Sequence, residues 1–466
     1  MIPTIPPLAG LCSYDEAHRT GLSVENCVDW LKRLHYVWKR LHQIFTAHIT
    51  AEPLYELKTA FSLHSHLCAE HAQAIRTRVS EMREPPLGLE VIPHPGLEQA
   101  CDEVLCAPTT YERCLGLYQV LLPALNESIH SYLETTNRLA DAPSVRILRF
   151  AQLELHDILA FGDQVMSAWE MAPDTAVAYY QGLWQALASA GGLSGRDAIT
   201  TSSPAPVYSV TPFQYDRVPR RDERFQDSFN AGVNPEAFLY DPRYSPRDKT
   251  LMMYYKRIRE IDVPEMMASI LIEMPDKPWG FQRDMTRQLW DEARHAMLGE
   301  VGFRQAGIDW TQIPISFLWS YNLNTQLNAT ERHAVLFFIE QGLMPKTGKR
   351  FEWEVGRASG DELSALFQDF DWADEVLHAQ IGREWYVKGF GDLNSALAYG
   401  DACWSKVMSH WREYRDQGLT QHRNWWPEIY QRACHHWGVP TDPLAMAYCE
   451  TYESIRADLK EITGSA

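Results

Sequence analysis

Apolar residues recur at three- and four-residue steps along nearly the whole chain, and no convincing run of alternating apolar and polar residues interrupts them. Val24, Cys27, Val28, Leu31, Leu34, Trp38, Leu41 and Phe45 form the clearest stripe, with similar ones near 54–80, 110–136, 144–170 and 174–190. A period of about 3.6 residues places such side chains on one helix face, so the pattern predicts an all-α protein. At 466 residues the chain is long for one domain. The pattern breaks over 191–246, where Gly191-Gly192-Leu-Ser-Gly195, Thr200-Thr-Ser-Ser-Pro-Ala-Pro206, Asp241-Pro242 and Ser245-Pro246 gather turn formers. We read an N-terminal helical domain over 1–190, a linker over 191–246, a helical domain over 247–390 and a C-terminal helical extension over 391–466 that ends in a short polar tail. The first and third segments are each about the length of a four-helix bundle.

Two helical segments carry the chemistry, Leu289-Trp-Asp-Glu-Ala-Arg-His295 and Trp372-Ala-Asp-Glu-Val-Leu-His378. Each contains Asp-Glu-x-x-His. Glu at i and His at i+3 stand about 60° apart around a helix and one turn along it, so both side chains can aim at one point. A carboxylate with a neutral imidazole suits a first-row divalent metal. The bare Glu-x-x-His spacing is weak, since it also occurs at Glu127-Ser-Ile-His130. The preceding Asp and an upstream Glu strengthen the other two. Glu340 lies 35 residues before Glu375, and Glu265 lies 27 before Glu292, separations that two helix halves and a turn would span. Glu260, 32 residues before Glu292, fits as well. Five residues turn a helix by about 500°, so Glu260 and Glu265 point about 140° apart and do not both face one site. The Pro275-Asp-Lys-Pro278 turn gives Glu265 the better matched arm, while Pro264 either starts a helix or kinks one, which leaves the choice open.

Composition excludes several classes. Lys+Arg 43 against Asp+Glu 61 gives a net charge of −18, which repels phosphate backbones and makes nucleic acid an unlikely partner. No stretch of about 18 apolar residues occurs, so a membrane span is not expected. The N-terminus lacks the basic-then-apolar pattern of a secretory signal. Nine cysteines, an odd number with no Cys-x-x-Cys pair, read as scattered thiols and point to the cytoplasm.

Asp291-Glu-Ala-Arg-His295, Pro264-Glu-Met-Met-Ala, Met274-Pro-Asp-Lys-Pro278 and Glu375-x-x-His378-x-x-Ile381-Gly382-x-x-Trp385 together resemble the ferritin-like di-iron carboxylate superfamily. Within it they are most similar to a poorly characterised bacterial ferritin-like family, itself distantly similar to the tRNA 2-methylthio-adenosine hydroxylase. The resemblance covers about residues 247–390. It implies a four-helix bundle with a dimetal site ligated by Glu265, Glu292, His295, Glu340, Glu375 and His378. It further implies Asp291 near His378, Asp374 near His295, and Arg294 balancing buried negative charge. Leu377 departs from the pattern, standing where an Arg would make the outer surroundings symmetric. The implied cofactor is two Fe ions, or Mn/Fe, with O2 as co-substrate. The implied activity is oxidation, by preference hydroxylation, of a small organic substrate, with a reductase or ferredoxin as electron donor and a homodimer as a possible assembly. A ferroxidase or metal-handling role and a tRNA-modifying hydroxylase are the alternatives.

The N-terminal half reads as a degenerate copy of that bundle, giving two ferritin-like bundles in tandem followed by C-terminal helices. Cys68-Ala-Glu-His71 and Leu153-Glu-Leu-His156 put His where the later motifs have it, with Cys and Leu in place of Glu. A second metal on Glu127, His130, Glu154 and His156 is a weaker reading. Met252, Met253, Met266, Met267, Met274, Trp279 and Trp290 are expected as core rather than as a substrate passage. Tyr208 to Tyr215 with Arg217, Arg220, Arg221 and Arg224 are expected as a solvated linker.

Overall fold

A computed structural model describes residues 4–82, 88–169, 175–199, 204–230, 232–407 and 411–451. Thr200–Ser203 of the linker and the polar tail from 452 onward lie outside the described residues. The fold is all-α, with helices packed into bundles; the single β-bridge among the described residues joins Val233 to Thr451. The chain divides into two compact units, the first formed by 1–47 with 63–215 and the second by 48–62 with 216–466.

The first unit holds α1 (Val24–Ile49) and α2 (Tyr55–Glu81), apart from the stretch 48–62 that belongs to the second. It also contains α3 (Pro95–Leu105), α4 (Thr110–Gly116), α5 (Leu122–Thr135), α6 (Ala142–Ser167) and α7 (Ala176–Ser189). The α1 stripe faces the core: Cys27, Val28, Leu31, Leu34, Trp38, Leu41 and Phe45 are buried, and Val24 at the helix start is exposed. A π-type turn over Leu117–Leu121 links α4 to α5. It aims Tyr118 at His64, whose Nδ1 lies 3.0 Å from the phenol oxygen. Gly162 of α6 makes room for that ring, since a Cβ there would stand 2.5 Å from it.

The second unit contains α8 (Pro246–Arg259), α9 (Asp262–Glu273), α10 (Trp279–Gln305), α11 (Leu318–Gln326), α12 (Ala329–Gly342), α13 (Lys349–Ser359), α14 (Glu362–Trp385), α15 (Leu393–Val407) and α16 (Trp426–Trp437). Its starts are written locally. Ser245 accepts the Asp248 amide ahead of Pro246, Asn328 and Glu331 form a capping box, and Asp361 accepts the Leu363 amide. Helix α8 ends just before Glu260, and Pro264 occupies the first turn of α9, where its missing N–H costs nothing. Helix α10 crosses α8 at Gly299, where a Cβ would approach the Ile258 nitrogen to 2.3 Å. Met252, Met253, Met266 and Met267 are core residues, and Met274, Trp279 and Trp290 are half-buried. Among the described residues no helix is long and apolar enough to cross a membrane.

Three histidines of the first unit generate a testable pH dependence. Burial pushes His35 down to about 4 and His42 and His64 to about 3, from an ordinary value of 6.5. Below pH 6.5 the unfolded chain therefore takes up protons that the folded one refuses, so stability present at neutral pH is lost as pH falls toward those values. Each histidine is expected to cost about 2 kcal/mol by pH 5. Urea unfolding followed by fluorescence should show a lower midpoint at pH 5 than at pH 7, and a smaller drop in His42→Leu. An unchanged midpoint would contradict the neutral, buried state of these rings.

Candidate metal centre

Two helices without a break, α10 and α14, carry the Glu–His pairs; the other two donors sit at helix ends. Glu292 and His295 project from mid-α10, and Glu375 and His378 from the second half of α14. Glu260 is the residue that caps α8, and Glu340 lies in the last turn of α12. These six side chains form two metal-competent groups: Glu260, Glu292, His295 and Glu375, and Glu292, Glu340, Glu375 and His378, with the donor atoms of each within 4.8 Å of one another. Glu292 and Glu375 belong to both. The two imidazole centroids are 5.9 Å apart.

The spacing suits an ion. His378 Nδ1 is 3.1 Å from Glu292 Oε1, 3.4 Å from Glu375 Oε2 and 3.9 Å from Glu340 Oε2. His295 Nδ1 is 3.6 Å from both Glu260 Oε2 and Glu292 Oε2. Bonds of about 2.0–2.2 Å to nitrogen and oxygen let one ion span such separations. The atoms that converge are also the ones the protein leaves unsatisfied: Glu260 Oε2, His295 Nδ1, Glu340 Oε2, Glu375 Oε2 and His378 Nδ1 are buried without a hydrogen-bond partner. Leaving such a group unmade costs about 1–3 kcal/mol, a cost a bound cation removes.

The far side of each ring is fixed. His378 Nε2 lies 3.4 Å from Asp291 Oδ2, and His295 Nε2 lies 3.1 Å from Asp374 Oδ2. Arg294 donates to Asp291 at 2.7 Å and to Asp374 at 2.6 Å, and Arg287 donates to Asp291 at 2.9 Å. A carboxylate on Nε2 sets the tautomer that leaves Nδ1 to donate its lone pair.

Electrostatics favour positive charge here. Burial pushes the Glu260 carboxyl up to about 7, and burial with the neighbouring Glu375 and Glu292 pushes Glu340 well above the carboxylate range. Burial opposes ionisation of Glu375 too, yet Lys349 and His378 hold it well below. Both imidazoles are raised against their own burial by the surrounding acids, His295 to about 10. Carboxylates crowded out of water hold protons and cations tightly.

The sequence favoured Glu265 as the sixth donor, but its side chain is engaged elsewhere. It pairs with Lys58, accepts from Arg221 at 3.1 and 3.2 Å and from Ser320 at 2.7 Å, all in a buried cluster with Asp262. Glu260 joins the metal-competent group instead. The angular argument that set Glu260 against Glu265 assumed one helix through both positions, and the break before α9 removes that assumption; matched arms place Glu265 on α9 but do not turn its side chain to the site. Arg221 is likewise no solvated linker residue, for it donates to the Ile315 and Ser316 carbonyls at 3.0 Å and is buried. Of the N-terminal candidates, His71 pairs with Glu154 at 2.7 Å, while Glu127, His130 and His156 are exposed and do not converge. Among the described residues both metal-competent groups lie in the second unit.

Sequence reasoning missed Asp371, Lys349, Arg257 and Glu352. Asp371 is buried 3.4 Å from His295 Nδ1, and it pairs with Arg257 and with Lys349 at 2.9 Å. Arg257 also reaches Glu352 at 3.3 Å, and Lys256 pairs with Glu352. Asp371, Glu375 and His378 follow i, i+4, i+7 spacing, a signal for the first of these.

Comparison of the chain with protein-family models, with curated proteins and with solved structures finds no match. What fold and site define together is a class: an all-helical protein with a buried carboxylate–histidine cluster able to coordinate metal.

The Glu265 cluster generates its own prediction. Lys58→Met leaves Glu265 with less compensating charge in a fully buried setting, and breaking such a pair costs about 3–5 kcal/mol. Equilibrium urea unfolding should register a loss on that scale; a change below about 1 kcal/mol would place the pair in a solvated environment.

Proposed function

We propose that the protein is an O2-dependent di-iron oxidoreductase that oxidises, by preference hydroxylates, a small organic molecule. The observation that supports it is the sharing of Glu292 and Glu375 between two donor groups, each with its own histidine and its own terminal glutamate. Four carboxylates and two histidines on four helical segments are the ligand set of the ferritin-like carboxylate proteins that the motifs resemble. On this reading residues 247–390 are the ferritin-like bundle, and Glu260, Glu292, His295, Glu340, Glu375 and His378 hold the ions. Iron bound there would supply O2 reduction and the oxidising power for a C–H or heteroatom bond.

The chain's own residues perform the rest. Asp291 and Asp374 orient the imidazoles and stabilise their donor tautomers. Gln288 donates to Glu340 Oε1 at 3.0 Å and so leaves Oε2 of that carboxylate for the ion. The buried setting of Glu292, His295, Glu375 and His378, each at most 2% exposed, keeps bulk water from the reacting centre. Electrons for O2 reduction come on this reading from a separate reductase or ferredoxin.

Metal analysis of anaerobically purified protein should find about two iron ions per chain, with a change in visible absorption on exposure to O2. Glu260→Ala should lower that content to one ion or fewer with the fold intact, whereas Glu265→Gln should keep the metal and lose thermal stability. Iron consumption and mineral formation without an organic product would assign a ferroxidase instead. Protein that stays metal-free, or binds only zinc, after iron loading would overturn the proposal.

A further inference from the structure

We propose that the two metal positions are unequal by construction and that Lys349 makes them so: the position of Glu292, Glu340, Glu375 and His378 fills first and tightly, and that of Glu260, Glu292, His295 and Glu375 fills second and weakly. This rests on the dimetal reading above. Lys349 is 1% exposed and opens α13. Its Nζ stands 2.8 Å from Glu375 Oε1, 2.9 Å from Asp371 Oδ1 and 3.6 Å from Glu260 Oε1. Arg257 adds a second cation on the same side, 3.1 Å from the same Glu260 oxygen.

The contacts to Asp371 and Glu260 lie on the His295 side, while the contact to Glu375 falls on a residue common to both positions. Around Glu340 the corresponding partner is the neutral amide of Gln288, and among the described residues no Lys or Arg comes within ion-pair distance of that carboxylate. A dication approaching Glu260 Oε2 therefore meets a carboxylate whose other oxygen already faces two fixed cations, and repulsion between like charges in a poorly screened interior is strong. A dication approaching Glu340 and His378 meets uncompensated donors, apart from the shared Glu375.

The ammonium is held in place rather than free to withdraw. It follows the turn after α12, where the Lys349 amide donates to the Leu343 carbonyl at 3.2 Å. Gly348 packs so tightly on Leu343 that a Cβ would lie 2.2 Å from that carbonyl oxygen. Asp371 does not cancel the effect, because it shares its charge between Lys349 and Arg257.

Anaerobic titration of the full chain with Co(II) alone, read by calorimetry and by the visible spectrum, tests the inference. Two steps separated by about tenfold or more in affinity are expected. His378→Gln should abolish the tight step, while His295→Gln should leave it and remove the weak one. Lys349→Met, where it folds by far-UV circular dichroism, should strengthen the weak step and narrow the gap, and Lys349→Arg should preserve it. Two equal steps in the unaltered protein, or a tight step that survives His378→Gln and vanishes in His295→Gln, would overturn this inference alone. Absence of any Co(II) binding would instead overturn the dimetal reading beneath it.

Discussion

Carboxylates taken out of water must be neutralised, and the core of the second unit is organised around that requirement. Eight acids, Glu260, Glu292, Glu340, Glu375, Asp371, Glu352, Asp291 and Asp374, share five basic side chains, Lys256, Arg257, Lys349, Arg287 and Arg294. Asp291 and Asp374 are matched by arginines, and Asp371 and Glu352 by Arg257, Lys349 and Lys256. Lys349 and Arg257 also reach Glu260, and Lys349 reaches Glu375, so among the described residues Glu292 and Glu340 face the histidines without a Lys or Arg partner. Isolated buried charge of this kind is too costly to persist as decoration, which makes cation binding the economical explanation for the whole arrangement.

Much of this was legible in the sequence where a single helix carried the information. The three-residue spacing within α10 and within α14 brings Glu to its His without any tertiary assumption, and the stripe on α1 fixed the buried face of that helix. Glu340 was reached by counting two helix halves and a turn back from Glu375, although a further helix, α13, stands between α12 and α14. Where a helix breaks, counting failed. Glu260 and Glu265 are indistinguishable until the end of α8 is known, and the chain signals that end only through Pro264. Lys349 could not be located from sequence at all, since its position depends on the path of the turn after α12. The turn formers of 191–246 marked a change in the chain, but not that residues 48–62 pack with the second unit, nor that Lys58 and Arg221 are buried against Glu265.

The first unit shows what similar residues do without convergent acids. His35, His42 and His64 are buried, and burial keeps their rings neutral. His71 meets the carboxylate of Glu154, and among the described residues no second acid joins them in a donor group. Histidine at helical spacing is thus common to both units, and the carboxylate-rich surroundings are confined to one.

The interruption of α8 at Glu260 and of α12 just past Glu340 divides the donors by their place along a helix. Glu292 and Glu375 sit inside continuous helices, whereas the two outer glutamates sit where helices end, each held there by turn hydrogen bonds, from Val263 to Glu260 and from Leu343 to Glu340. The shared pair sets the spacing between the two donor groups, and the ends set where the outer carboxylates stand. Insertions in the turns that follow these ends would retune coordination while the frame stays intact, giving such a scaffold a cheap route to new chemistry.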